Sequence, residues 1–246
     1  MRPIVIIPSR LASTRLPRKA LVDINGVSMI ERVIKQALSA QIGPVILASG
    51  DEEIITATQH IKGVRAVLTD PALPSGSDRV WAALQEVDPH NDYDVVINLQ
   101  GDLPLFNPDD LKAVLKPLED QAISVGTLVA PIYDLNECNE SSIVKVACAF
   151  PENNNLARAL YFSRQPIPWG EGQFWHHVGV YAWRREALAK FVTLPPSLLE
   201  QREKLEQLRA LESGMIIGCH SIKEAPMGVD TEKDLALVRK IAQCQS

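Results

Sequence analysis

Four short apolar runs, each followed by an amphipathic stretch, constrain this chain most. "PIVIIP" (3–8), "PVILAS" (44–49), "VRAVLT" (64–69) and "DVVINLQGD" (94–102) are rich in β-branched residues and barely alternate. Continuous apolar runs of that length are what a parallel strand buried on both faces requires. Between them lie helical patterns. "SMIERVIKQALSA" puts Met29, Ile30, Val33, Ile34, Ala37 and Leu38 on one stripe, with Ser28 able to cap it and Gly43 at its exit. "DEEIITATQHI" and "SDRVWAALQEV" follow the second and third runs, and "NPDDLKAVLKPL" follows the fourth, with Pro108 early in its first turn. Strand–helix alternation at this cadence predicts an α/β fold with a doubly wound, mostly parallel sheet, since crossovers are right-handed. Ligands in such sheets sit beyond the carboxyl ends of the strands.

Beyond about residue 120 the rhythm loosens. "AISVGTLVAPI", "SIVKVACAF", "HHVGVYAWRR" and "MIIGCHSI" read as strands. "LEQREKLEQLRALES" reads as one helix with a stripe of Leu199, Leu205, Leu208 and Leu211, and "VDTEKDLALVRKIAQ" as a closing helix whose Thr231 and Asp234 have capping-box spacing. There are no repeats and no low-complexity linker. The organisation expected is a single domain over 1–246 with a smaller inserted lobe at about 135–200.

Composition narrows the class. The chain has 246 residues, 46% of them hydrophobic, which supports a sizeable core, and a net charge of −5, which argues against a nucleic-acid partner. Its four cysteines show no metal-ligand or disulfide spacing, and no segment approaches the length of a membrane span. The first apolar run is too short for a signal-peptide core. A cytoplasmic protein with free thiols and no membrane insertion is expected.

Against that acidic balance, the loop after the first run is basic. "IIPSRLASTRLPRKAL" crowds Arg10, Arg15, Arg18 and Lys19 together with the hydroxyls of Ser9, Ser13 and Thr14. It has neither the GxxxxGK[ST] nor the GxGxxG pattern. Cations placed after the first buried strand of an α/β sheet favour a phosphate ligand over a merely solvated loop. Asp102, at the end of the fourth run beside Gly101, suits a hard divalent cation bridging phosphate oxygens, or else a turn cap. Asp230 precedes the closing helix, and from spacing alone it reads as a cap. The basic loop and the "QGDLP" turn, both following strands, are expected to share one rim.

Taken in order, "IIPSRLASTRLPRKAL", "SGSDRV", "VINLQGDLP", "YFSRQPIPW", "HHVGVYAW", "EKLEQLRALESG" and "GVDTEKDL" resemble the 3-deoxy-manno-octulosonate (Kdo) cytidylyltransferases from residue 4 to about 239. The resemblance implies a Rossmann-like nucleotidyltransferase fold and transfer of CMP from CTP to the anomeric hydroxyl of Kdo, releasing pyrophosphate, with Mg²⁺ and for lipopolysaccharide biosynthesis. It implies that Arg10 and Lys19 clamp the triphosphate with help from Ser13 and Arg15, and that Pro8, Ser9, Ser75 and Arg79 surround the cytidine end. Asp102 and Asp230 resemble the metal-holding pair, which reverses the spacing-only reading of Asp230. Gln100, Arg164, His177, Tyr181, Glu206 and Gln207 match positions of sugar recognition, and a homodimer is implied, formed through the inserted lobe.

Taken one at a time, those second-half residues have plainer readings: a packed histidine and tyrosine, and the solvated face of a charged helix. The chain departs from the family in having Arg18 for glycine, Ala20 for proline and Leu103 for glutamate. Rival readings are a cytidylyltransferase for an 8-amino analogue of Kdo or another acidic sugar, and a nucleotide-binding protein without catalysis.

Overall fold

The computed structural model describes residues 1–244, so Gln245 and Ser246 of the expected 1–246 domain lie outside the described residues. The chain divides into two compact units, Met1–Leu111 with Pro226–Ser246, and Lys112–Ala225. The lobe expected at 135–200 falls within the second.

Unit 1 begins with β1 (Pro3–Ser9), a hairpin of β2 (Asp23–Ile24) and β3 (Val27–Ser28), and α1 (Met29–Ser39). It continues with β4 (Val45–Ser49), α2 (Glu52–Thr58), β5 (Val64–Leu68), α3 (Gly76–Val87), β6 (Val95–Asn98) and α4 (Pro108–Ala113), whose last residues lie past the division. The sheet order is β5-β4-β1-β6, parallel throughout. The chain therefore runs outward from β1 to β5 and then returns to the other side of β1. This reversal makes a topological switch point between β1 and β6, where the loops leaving adjacent strands diverge and open a crevice.

Ile4, Val5, Ile6 and Ile7 of β1 and Val95, Val96 and Ile97 of β6 are all buried, as strands covered on both faces must be. α1 starts where Ser28 accepts from the Glu31 amide, and its predicted stripe is buried through Met29, Ile30, Val33, Ile34 and Ala37. The β2–β3 turn is Asn25-Gly26 with φ of 54° and 81°, the left-handed pair a tight hairpin requires.

Unit 2 contains β7 (Val125–Ile132), α5 (Leu135–Asn139), β8 (Lys145–Ala147), β9 (Leu156–Arg158), β10 (Tyr161–Ser163) and β11 (Phe174–Arg184). There follow α6 (Arg185–Thr193), α7 (Leu198–Glu203), α8 (Gln207–Glu212) and β12 (Ile217–Ser221). The closing helix α9 (Glu232–Cys244) then belongs to unit 1. The sheet of unit 2 is mixed: β12 runs parallel to β7, whereas β11 is antiparallel to β7 and β9 antiparallel to β12. The mostly parallel, helix-flanked sheet expected from the apolar runs is therefore found, with its irregular part in the second half.

Two expectations are corrected. "SIVKVACAF" is a strand only over Lys145–Ala147. The single helix read over 199–213 is two helices, because Lys204 takes a left-handed conformation at φ 59°. Long-range bonds explain the break. The Glu203 carboxylate accepts from Ser163 Oγ (2.9 Å) and the Arg164 amide (3.0 Å), while Arg164 Nε donates to the Glu203 carbonyl (2.8 Å). Leucine periodicity continues across such a break and so cannot reveal it.

Candidate functional site

The basic loop is held by three attachments within unit 1. The Leu11 amide donates to Asp51 Oδ2 at 2.8 Å, just past the end of β4. Leu16 is buried in a cluster with Ile24, Met29, Val229, Leu235 and Val238, which ties the loop to α9. A short 3₁₀ turn, Lys19–Leu21, then buries Ala20 and sets the Lys19 side chain. Its preceding residue, Arg18, sits at φ 55°, ψ 34°. That is the left-handed region glycine enters without steric cost, which gives a physical reason for glycine at this position in the family the sequence resembles. Here the Arg18 guanidinium pairs in two bonds with the Glu53 carboxylate, pointing its charge at α2.

Across the switch point the turn after β6 comes close. A Cβ at Gly101 would lie 3.1 Å from the Pro8 carbonyl oxygen and 3.3 Å from Ile30 Cδ1, so glycine lets the two segments approach. Lys19 Nζ donates to Asp102 Oδ2 at 2.8 Å and to Asp230 Oδ1 at 2.9 Å, and Arg15 lies 3.1 Å from Asp230 Oδ2. The basic loop and the acidic turn thus share one rim. Burial works to lower the pKa of Lys19, but the charges and hydrogen bonds of Asp102 and Asp230 outweigh it and raise it above the ordinary lysine value. The ammonium is therefore fully charged at neutral pH.

Asp230 is not the cap its spacing suggested. Thr231 Oγ1 accepts from the Asp234 amide (3.3 Å), while Asp234 Oδ2 accepts from the amides of Asp230 (3.1 Å) and Thr231 (2.9 Å). The helix start is satisfied by this reciprocal pair, and the Asp230 carboxylate is left to the cations.

These groups line a cavity of about 700 Å³, together with Pro8, Ser9, Arg10, Ser13, Ser75, Arg79 and Gln100. Every nucleotide and metal residue expected from the sequence is thus in one place. Arg10 is exposed on the rim. Ser75 caps α3: its hydroxyl accepts from the Asp78 amide (3.2 Å) and donates to Asp78 Oδ2 (2.7 Å). Arg79 is buried, and its Nη1 donates to Thr69 Oγ1 and to the Asp70 carbonyl (3.3 Å). Burial pushes its pKa down, Asp51 opposes that, and the Arg10 charge adds to the lowering. Gln100 Nε2 donates to Asn98 Oδ1 at 3.1 Å. Leu103, where the resembled family carries glutamate, is buried, and its Cδ2 lies beside Gly228.

The two carboxylates converge closely enough to share one ammonium. A hard divalent cation commonly takes one or two carboxylates and completes its shell with water and phosphate oxygens, so this donor pair fits Mg²⁺. Among the described residues no group of three or more His, Cys, Asp or Glu side chains is arranged to hold a metal ion.

Arg164, His177, Tyr181, Glu206 and Gln207 are in unit 2. His177 Nε2 lies 3.1 Å from Thr127 Oγ1, and its ring packs edge-on to Phe162 (4.9 Å) and tilted against Tyr181 (5.4 Å). Burial drives the His177 pKa down to about 3 and raises that of Tyr181, so both are neutral at physiological pH. Gln207 is buried at the start of α8, with Glu206 preceding it. Arg164 spends three of its five N–H groups on the carbonyls of Glu203 (2.8 Å), Ser141 (2.9 Å) and Lys204 (3.2 Å). Sequence reasoning missed Asp51 and Thr127. Asp51 carried a signal, a carboxylate just beyond the carboxyl end of a buried strand. Thr127 carried none, being one threonine inside an apolar run.

The family described as Cytidylyltransferase matches residues 4–221. A 3-deoxy-manno-octulosonate cytidylyltransferase of Rhodospirillum centenum is 49% identical over 97% of this chain and 93% of its own length. One of Parvibaculum lavamentivorans is 50% identical over 96% and 91%. A solved structure of CMP:2-keto-3-deoxy-manno-octonic acid synthetase complexed with CTP superposes with a TM-score of 0.89 at 36% identity, covering all of both chains. A nucleotidyl transferase of Methanothermobacter, at 17% identity and a TM-score of 0.60, shares the fold.

Proposed function

The chain belongs to the cytidylyltransferase family, and from that premise we propose that it transfers CMP from CTP to the anomeric hydroxyl of Kdo, releasing pyrophosphate. The observation that carries this reading is the bridge of Lys19 between Asp102 and Asp230 on a cavity that also holds Arg10 and Arg15. It is a site in which cations meet a polyanion and carboxylates meet its counter-ion.

In the reaction the sugar oxygen bonds to the α-phosphorus as the bridge to the β-phosphate breaks. The hydroxyl proton passes to solvent water, and the electron pair of the broken bond leaves with pyrophosphate. Arg10, Arg15 and Lys19 hold the triphosphate and take up charge that grows on the leaving group, Lys19 and Arg15 exchanging their bonds to Asp102 and Asp230 for bonds to phosphate oxygens. Ser13 adds a hydroxyl donor. Pro8, Ser9, Ser75 and Arg79 enclose the cytidine end. Asp102 and Asp230 would hold Mg²⁺, which would neutralise phosphate charge as a Lewis acid.

Arg164, His177, Tyr181, Glu206 and Gln207 recognise the sugar acid, Arg164 through its two remaining N–H groups and the others through hydrogen bonds. Among the described residues no helix is long and apolar enough to cross a membrane. We read the protein as a cytoplasmic enzyme and a homodimer. The exposed Leu160, Trp169 and Leu198 of unit 2 support an interface there.

The test is direct. Purified protein with CTP, Kdo and MgCl₂ is expected to form CMP-Kdo and one pyrophosphate per product. No product, or equal turnover of sialic acid and Kdo, would refute the assignment.

A further inference from the structure

β11 carries an irregularity opposite Thr127. Val178 pairs with Leu128 and Tyr181 with Thr127, so Gly179 and Val180 have no counterpart on β7. Bulges re-aim the side chains on either side of them. Here those neighbours are Val178 and Tyr181, with His177 one residue before Val178.

Thr127 is fully buried, and its hydroxyl sits at the bulge. Its Oγ1 lies 2.9 Å from the Val180 carbonyl oxygen, 3.2 Å from that of Val178, and 3.1 Å from His177 Nε2. A hydroxyl has one hydrogen and two lone pairs, and the two carbonyl oxygens only accept. The hydrogen must therefore go to the carbonyls. Were it given to the imidazole, two buried oxygen–oxygen contacts would be left without a proton between them, which a buried site does not tolerate. Nε2 is consequently the donor, and Nδ1 carries the lone pair. Packing against Phe162 and Tyr181 holds the ring in this orientation.

We propose that Thr127 is a positioning residue: its hydroxyl, anchored in the β11 bulge, fixes His177 as the Nε2–H tautomer and leaves Nδ1 as the acceptor for a hydroxyl of the sugar acid. The second half rests on the reading that His177 recognises the sugar; the tautomer does not. Because burial keeps the ring neutral, the choice of tautomer persists across the physiological pH range.

The experiment is ¹⁵N NMR of the full-length chain labelled at histidine, with His177→Asn used to assign the His177 signals. The parent is expected to show a protonated Nε2 and a bare Nδ1. Thr127→Ser keeps that pattern, and Thr127→Val, which keeps the shape but not the hydroxyl, mixes the tautomers. In steady-state assays Thr127→Val raises the KM for Kdo by about fivefold, the worth of one neutral hydrogen bond. Its kcat and its KM for CTP change less than twofold, and Thr127→Ser restores the parent KM.

A parent spectrum with Nδ1 protonated overturns the proposal, as does a Thr127→Val protein with parental tautomer and parental KM. If the spectra are as expected but His177→Asn leaves the KM for Kdo unchanged, the sugar contact is overturned and the tautomer lock stands. Should Thr127→Val fail to fold, the parent and Thr127→Ser spectra decide the matter.

Discussion

The two units present polar side chains with opposite electrostatics. In unit 1 the side chains of Arg15, Lys19, Asp102 and Asp230 are ion-paired and partly open to solvent, at 63%, 18%, 32% and 47% exposure. In unit 2 Thr127, His177 and Tyr181 form a packed cluster whose ionisable members burial keeps neutral. Under the proposed function, the difference follows the ligand chemistry each set would meet. A triphosphate with its metal presents a large charge, and exposed ions that swap one partner for another meet it at little desolvation cost. Sugar hydroxyls present directional neutral groups, which are told apart only by donors and acceptors whose hydrogens are fixed.

The largest break in that comparison comes from Asp102→Asn. It removes one of the two carboxylates while keeping shape, and turnover is expected to fall on the order of 10²–10³-fold, as for loss of one preorganised electrostatic group. Turnover within twofold of the parent would remove Asp102 from the site. Asp230→Asn sharpens the point. Thr231 and Asp234 already satisfy the start of α9, so thermal stability is expected to hold while turnover drops by about 10²-fold. A large fall in melting temperature with normal turnover would return Asp230 to a structural role.

The neutral cluster predicts a pH effect of definite sign. The folded-state pKa of His177, about 3, lies below the ordinary 6.5. Between those values the unfolded chain binds a proton that the folded chain does not, so stability is full above about pH 6.5 and falls as pH drops toward 3. The slope contributed is up to about 1.4 kcal/mol per pH unit. Chemical denaturation from pH 4 to 7 should give a shallower slope in His177→Phe than in the parent, and parallel slopes would contradict the neutral buried ring. Smallest of all is Arg18→Gly. It relieves a left-handed residue and removes an exposed pair with Glu53, so turnover should stay within about twofold, as for surface changes generally. A tenfold loss would make Arg18 part of the triphosphate clamp.

What could be read in advance divides along the same line. The parallel core of unit 1 was legible because each buried strand is a continuous apolar run, and the cavity because its cations and Asp102 directly follow such runs. Asp230 was ambiguous, since a carboxylate before a helix and a Thr-x-x-Asp pair one residue later both fit a cap, and only the bonds of Thr231 separate them. In unit 2 the legible signal was a pattern of strands. The break at Lys204 depends on Glu203 reaching Ser163 and Arg164, about 40 residues away in sequence, and the His177 contact depends on a bulge facing Thr127. Periodicity within a segment carries neither.

The account stands on two carboxylates and one cationic loop jointly receiving a metal-bound nucleotide. Titrating Mn²⁺ into the protein in the presence of CTP by isothermal calorimetry, for the parent and for the Asp102→Asn/Asp230→Asn pair, tests this most directly. CTP-dependent binding of the ion by the parent and its loss in the double variant is the predicted result. Equal binding by both proteins would contradict it.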